Sequence, residues 1–341
     1  MKQMVRMKWI SLSVLSVVMA ACVNRQPQQS EYPTTGFLER LDPSLDELID
    51  TSATAEIIAE GFDWVEGPLW VEREKMLLFS DVPTNTIYKW TEENGTEVYL
   101  QPSGYTDPKP STSKEPGSNG LVLDPDGRLV LCQHGNRQVA RMDAPLDQPQ
   151  ARYTPLAQHY EGKRFNSPND AIYNQAGDLF LTDPPYGLPL QNDDDPSKEI
   201  PFNGVYKVSP GGEVRLLTDQ ITRPNGIAFF PGENELLVAS SDPEAANWYI
   251  VDTTNGSAVP RLFYSVTDKR AGQKGLPDGL KIDRNGNVFA SGPGGIWIFN
   301  RKGDVLGRFR LDEAASNVAF SADERTLYIT NDMYVLRLKM R

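Results

Sequence analysis

Six residues with oxygen-bearing side chains recur at the same place in a repeated phrase. They are Glu66 in E-G-P-L-W, Asn119 in S-N-G-L, Asn169 in P-N-D-A, Asn225 in P-N-G-I, Asp278 in P-D-G-L and Asn317 in S-N-V-A. Carboxylates and amide carbonyls are hard donors that suit Ca2+ or Mg2+, whereas zinc favours His and Cys. The chain has only two histidines, His134 and His159, and two cysteines, so a zinc cluster of that kind is nearly excluded. Asn and Asp also cap turns through local hydrogen bonds. Repetition at equivalent positions argues instead for a shared role, that of holding one divalent cation.

The spacing says what must position them. Successive phrases lie 39 to 56 residues apart, the period of propeller blades rather than of helical repeats. Each phrase leads into a strand–turn–strand pattern, as in L-V-L-D-P-D-G-R-L-V-L or L-K-I-D-R-N-G-N-V-F-A. Apolar and polar residues alternate around Gly, Asp or Asn turns, which is the signature of a hairpin. The expected fold is therefore all-β, a six-bladed β-propeller. The first strand of each blade lines the central channel, so the six residues open onto one axis at one mouth. Second strands return to the same face and end at Ser80-Asp81, Gln133-His134, Thr182-Asp183, Ser241-Asp242, Ser291-Gly292 and Thr330-Asn331, a second ring. The last blade stops one strand short. The segment Thr54–Glu60 is expected to pair as its outer strand and remove the open edges.

The N-terminus is read as a targeting signal. Lys2, Arg6 and Lys8 precede the apolar stretch Ile10–Ala21, which ends at Cys22 and falls short of the ~20 residues of a spanning helix. Residues 1–21 are read as a signal peptide of lipoprotein type, since M-A-A-C resembles a lipobox with Cys22 as the lipidated residue. A plain cleaved signal or short anchor is the alternative. Residues 22–50 are read as a tether and 51–341 as the propeller, on the periplasmic side of the bacterial outer membrane. Membrane contact is expected only through the lipid. The other cysteine, Cys132, is expected to be a buried small hydrophobe. A net charge of −12 without a long basic run excludes nucleic acid as the expected partner. No obligatory protein partner is indicated.

With these residues placed, the chain resembles the gluconolactonase/senescence-marker-protein (regucalcin) family, its bacterial lactonase branch, and more distantly diisopropylfluorophosphatase. The resemblance runs from about Glu60 to the C-terminus and is carried by E-G-P-L-W, R-F-N-S-P-N-D-A, T-D-P-P-Y-G-L, R-P-N-G-I-A-F, P-D-G-L-K-I-D and G-P-G-G-I-W-I-F in that order. It implies hydrolysis of a lactone or related ester with a divalent metal at the channel mouth, held by Glu66, Asn169, Asn225 and Asp278. Ca2+ is the expected ion; Mg2+, Mn2+ or Zn2+ on the same oxygens are alternatives. The metal would act as a Lewis acid on the carbonyl, and a base is still needed to activate water. Asp278 is the leading candidate, then Glu66, with His134 in the second ring a further one or a substrate contact.

Recognition is expected from loops on the same face: Gln101–Gly117, Gln158–Pro168, Gly187–Gly204 and Thr267–Pro277. Arg164, Arg223, Arg270 and Lys274 lie on them or beside them, and would suit a polyhydroxylated or anionic substrate. Asn119 and Asn169 are placed for substrate hydroxyls. A phosphotriesterase or aryl-esterase on the same scaffold, or a non-catalytic binding propeller, are the other function classes, because function resides in the site and not in the fold.

Overall fold

In the computed structural model, Met1, residues 32–254 and residues 258–341 are described. Cys22 and all but the first residue of the expected signal peptide lie outside the described residues. No helix among the described residues is long and apolar enough to cross a membrane.

Six antiparallel sheets form the ring. Their inner strands are Val65–Val71, Ser118–Leu123, Ala171–Tyr173, Pro224–Phe229, Leu280–Ile282 and Ala315–Phe320. Each touches the inner strand of the next blade, and the sixth touches the first. Each sheet then runs outward through its hairpins in sequence order. Apolar side chains fill the wedges between blades. Between the fourth and fifth, Trp248 is fully buried against Trp297 and Phe299. Cys132 is buried in Leu129–Gln133, where burial pushes its thiol up.

Closure occurs as expected. Ala55–Glu60 pairs antiparallel with Tyr334–Lys339, Tyr334 opposite Glu60. Two further edges are covered by residues read from sequence as tether. Thr34–Thr35 extends the sixth blade, and Phe37–Arg40 pairs with Val305–Arg310 on the fifth. Glu39 forms ion pairs with Arg308 at 2.9 Å and Arg310 at 3.3 Å, while Leu45 and Ile49 are fully buried in the core of the fifth and sixth blades. Residues 34–49 are thus part of the propeller. The polar residues ahead of them masked an apolar set, Leu38, Leu45, Leu48 and Ile49, that had an exposed sheet edge to cover.

At the inner-strand openings the backbone is irregular in a consistent way. Register shifts fall between Glu66 and Leu69, Ser118 and Leu121, Pro224 and Ile227, and Ala315 and Asn317. In the third and fifth blades the paired strand starts only after Asn169 and Asp278. A bulge bends the strand and re-aims a side chain. The residue after four of the six is glycine because the next blade lies against it: a Cβ on Gly226 would sit 2.3 Å from the Asp278 carbonyl oxygen, and one on Gly67 2.1 Å from that of Asn119.

The expected second ring is a seam between blades. Ser80 Oγ donates to the Asn119 carbonyl at 3.0 Å, Thr182 Oγ1 to that of Asn225 at 2.7 Å, Ser241 Oγ to that of Pro277 at 2.6 Å, and Ser291 Oγ to that of Ser316 at 2.9 Å. Ser316 Oγ reaches the Val65 carbonyl at 2.6 Å, and between the second and third blades the link is a backbone one, the Gly120 N–H donating to the Asn169 carbonyl at 2.7 Å. These bonds take up backbone carbonyls at the ring and leave the side chains beside them to face the axis.

Candidate active site

The mouth of the channel holds a cavity of about 360 Å3 lined by Glu66, Asn119, Asn169, Asn225 and Asp278. Asn317, the sixth of the series, is buried but turned away from ligation. Its Oδ1 accepts from the Val318 N–H at 2.8 Å, and its amide donates to Glu66. The ring therefore presents two carboxylates and three amides, not six equivalent donors.

The electrostatics of this set are those of a cation site. Burial drives the Asp278 carboxyl well above its usual range, and the charges of Glu66, Asp170 and Glu115 push it further. Glu66 shifts the same way, burial first, offset in part by the Gly67 N–H at 3.1 Å. Asp278 Oδ1 and Asn119 Oδ1 are buried without a hydrogen-bond partner. Asn225 gives its Nδ2 to Ser241 Oγ at 2.8 Å, which leaves its carbonyl oxygen as the atom open for ligation. Crowded carboxylates and orphaned oxygens in a buried site are costly unless a charge answers them, so the residues fit a hard divalent cation. Among the described residues no group of three or more His, Cys, Asp or Glu is gathered closely enough to hold a metal, at this mouth or elsewhere, so a cation here would depend on the amide oxygens as well as on the two carboxylates.

Asn169 owes its position to the turn before it. Asp183 is fully buried and accepts the N–H groups of Asn166 at 2.8 Å and Ser167 at 2.7 Å, bracing R-F-N-S-P-N from beneath. Its carboxyl is pushed up to about 7, burial outweighing those two bonds.

The expected cationic rim is not at the cavity. Arg164 is exposed and donates to the Asn136 carbonyl at 3.2 Å. Arg223 stands over the Tyr186 ring, 5.8 Å from its centroid, and is engaged by that tyrosine, which lines the cavity where the arginine does not. Arg270 pairs with Glu244 and Lys274 with Glu313. His134 is fully buried and also off the cavity wall, with burial lowering its imidazole to about 4. These residues sit on the expected face, but sequence spacing says nothing about which way a loop side chain turns.

The repeat does not single out the rest of the wall. Trp64, Tyr186, Leu276, Ala314 and Ala315 give it an apolar side, and Glu115 adds a third carboxylate. Tyr186 lies inside T-D-P-P-Y-G-L and Trp64 two residues before Glu66, so proximity to the motifs is the only signal they carry. Glu115 closes the 101–117 insertion three residues before an inner strand, and a loop that returns to the mouth at that point must leave its last side chains there.

Residues 64–332 match the family described as SMP-30/Gluconolactonase/LRE-like region. The chain belongs to that family. It is 38% identical over 315 residues to a gluconolactonase of Zymomonas mobilis, covering 90% of this chain and 87% of that one. A gluconolactonase structure from Xanthomonas campestris aligns at a TM-score of 0.76 with 28% identity, covering 91% of this chain and 98% of that one. Regucalcin from Agrobacterium tumefaciens, a calcium-binding protein, aligns at 0.63 with 16% identity over 83% and 92% of the two chains. At that identity the likeness shows the fold alone.

Proposed function

We propose that this protein is a divalent-metal-dependent lactone hydrolase of the gluconolactonase type, with Glu66, Asn169, Asn225 and Asp278 holding the ion and Ca2+ the first choice. The observation that carries the reading is the pair of mutually repelling buried carboxylates among amide oxygens at one mouth, in a chain 38% identical to a gluconolactonase. Bound there, the ion would supply Lewis-acid stabilisation of the oxyanion that forms when water attacks the lactone carbonyl. Asn119 is assigned to substrate hydroxyls, and Trp64 and Leu276 to the hydrocarbon face of the ring.

The substrate class is set by charge. Among the described residues no Lys or Arg lines the cavity, while three carboxylates do, so even one divalent ion leaves it negative. A neutral polyhydroxylated lactone fits; a phosphorylated or carboxylated one is repelled. Aryl esters form the second reading, supported by the aromatic walls Trp64 and Tyr186. The test is hydrolysis of neutral and phosphorylated sugar lactones and of phenyl acetate, with and without chelator. Chelator-sensitive turnover of the neutral lactones is expected. Turnover of the aryl ester alone, or activity indifferent to chelator, defeats the reading.

Export and anchoring through a lipid on Cys22 belong to the same proposal. The lipid would hold the protein at the envelope membrane, and the propeller would not.

A further inference from the structure

We propose that Glu115 is the group that takes the proton from the attacking water, with His134 as its positioning residue and Gln191 as the contact that fixes its side chain. The inference rests on the lactone-hydrolase reading and assigns the base within it.

Among the described residues, Glu115 is the one carboxylate lining the cavity that does not belong to the inner-strand ring. It is held there from three sides. The His134 N–H donates to the Gly117 carbonyl and the Gly135 N–H to the Pro116 carbonyl, both at 3.1 Å, which fastens the end of the insertion to the second blade. From the opposite insertion, Gln191 Nε2 donates to Glu115 Oε1 at 2.9 Å. Oε2 is left facing His134 Nδ1 at 3.9 Å. That imidazole is fully buried and turned toward the Glu115 main chain as well as its carboxylate. Gly187 packs directly on it, where a Cβ would lie 2.5 Å from that of His134.

This is not how a structural carboxylate is treated in the same protein. Asp183 receives two backbone N–H groups, one on each oxygen. Glu115 receives one neutral amide on one oxygen, and the lone pairs of the other stay available. Glu66 and Asp278 are poorer acceptors in the loaded site, because an oxygen that ligates a divalent ion has given its electron density to the metal. The titratable groups around Glu115 are Glu66 and Asp278 across the cavity, Lys114 beside it in the chain and the His134 imidazole, which burial keeps neutral, behind it. Burial raises its carboxyl, against the opposing bond from Gln191, which moves it toward the range of a working base.

The proton balance is closed. As the water oxygen bonds to the carbonyl carbon, its proton passes to Glu115. As the bond from that carbon to the ring oxygen breaks, the same proton is delivered to the departing alkoxide. Lactone and water become a hydroxy acid, and Glu115 ends as it began.

Glu115→Gln should lower kcat by ~10²- to 10⁴-fold, with Ca2+ affinity and binding of a non-hydrolysable lactam, read by Trp64 fluorescence, within about 3-fold. Glu115→Asp keeps a carboxylate and should retain intermediate turnover with the acid limb of its pH profile preserved. His134→Phe should move that limb and leave KM unchanged. An active wild type whose Glu115→Gln variant keeps kcat within about 3-fold overturns this inference alone. A metal-loaded wild type inactive on every lactone overturns the proposed function, and this inference with it.

Discussion

Gly226→Ala touches no cavity side chain, yet the structure predicts that it disables the site. The added Cβ would stand 2.3 Å from the Asp278 carbonyl oxygen and 2.6 Å from the Gly279 Cα. Both obstacles are backbone, so no rotamer change relieves them. Ordinary contact begins near 3.4 Å, so the opening of the fifth inner strand must move by about 1 Å and carry Asp278 with it. Displacements of that size at a reacting centre cost on the order of 100-fold in rate, and overpacking a fitted interior costs about 1–3 kcal/mol of stability. Gly226 does not adopt a left-handed conformation, so the loss would be steric.

The assay is kcat/KM for a neutral lactone, with Ca2+ affinity by calorimetry and unfolding in urea, for Gly226→Ala beside Gly232→Ala. Gly232 has φ +100° and nothing within 4 Å of its would-be Cβ. Its replacement should destabilise through backbone strain and leave kcat/KM unchanged in the folded protein. Wild-type activity and metal affinity in Gly226→Ala would refute the claim that blade-to-blade contact positions the ligands.

Three further outcomes are expected. Asp278→Asn retains an oxygen but removes one of the two ligand charges, so Ca2+ affinity, measured by calorimetry, should fall on the order of 10- to 100-fold; unchanged affinity would remove Asp278 from the ligand set. Asp183 holds its proton up to about 7 in the folded protein, against about 4 in the unfolded chain. The native state therefore binds more protons than the unfolded state between those values, and stability falls as pH rises through the window by at most ~1.4 kcal/mol per pH unit. Urea unfolding of Asp183→Asn should show a flatter dependence between pH 4 and 7 than wild type, and parallel curves would count against it. Cys22→Ser should move the protein from the membrane to the soluble fraction of cells, and unaltered fractionation would sink the lipid-anchor reading.

How much of the fold and site is legible in the sequence depends on repetition. Glu66, Asn119, Asn169, Asn225 and Asp278 stand out because one phrase recurs, and a recurring phrase in a ring fold fixes both position and direction. Asn317 satisfies the same pattern but its Oδ1 is taken by the Val318 N–H, a local bond that period and residue type do not reveal. The closing strand Ala55–Glu60 is legible because a blade lacking a strand needs one. The cover given by Phe37–Arg40 is not, since four residues of mixed polarity carry little periodicity of their own. Arg164 and Arg223 lie on the face that sequence order assigns them, yet neither reaches the cavity. Their loops occur once each, and a single occurrence gives no register from which to read side-chain direction.

The same contrast explains how the site is built. In the ring, bulges turn side chains toward the axis while Ser80, Thr182, Ser241 and Ser291 bind carbonyls of the neighbouring blade, so the oxygens offered to a cation are set by the scaffold as a whole. Glu115 comes instead from an insertion that meets a second one at the Gln191–Glu115 bond, a contact between segments 76 residues apart in sequence. A scaffold that sets these oxygens through repeated seams can vary the insertions without disturbing them. Proton transfer would then be determined by the insertions, where Gln191 and Glu115 lie.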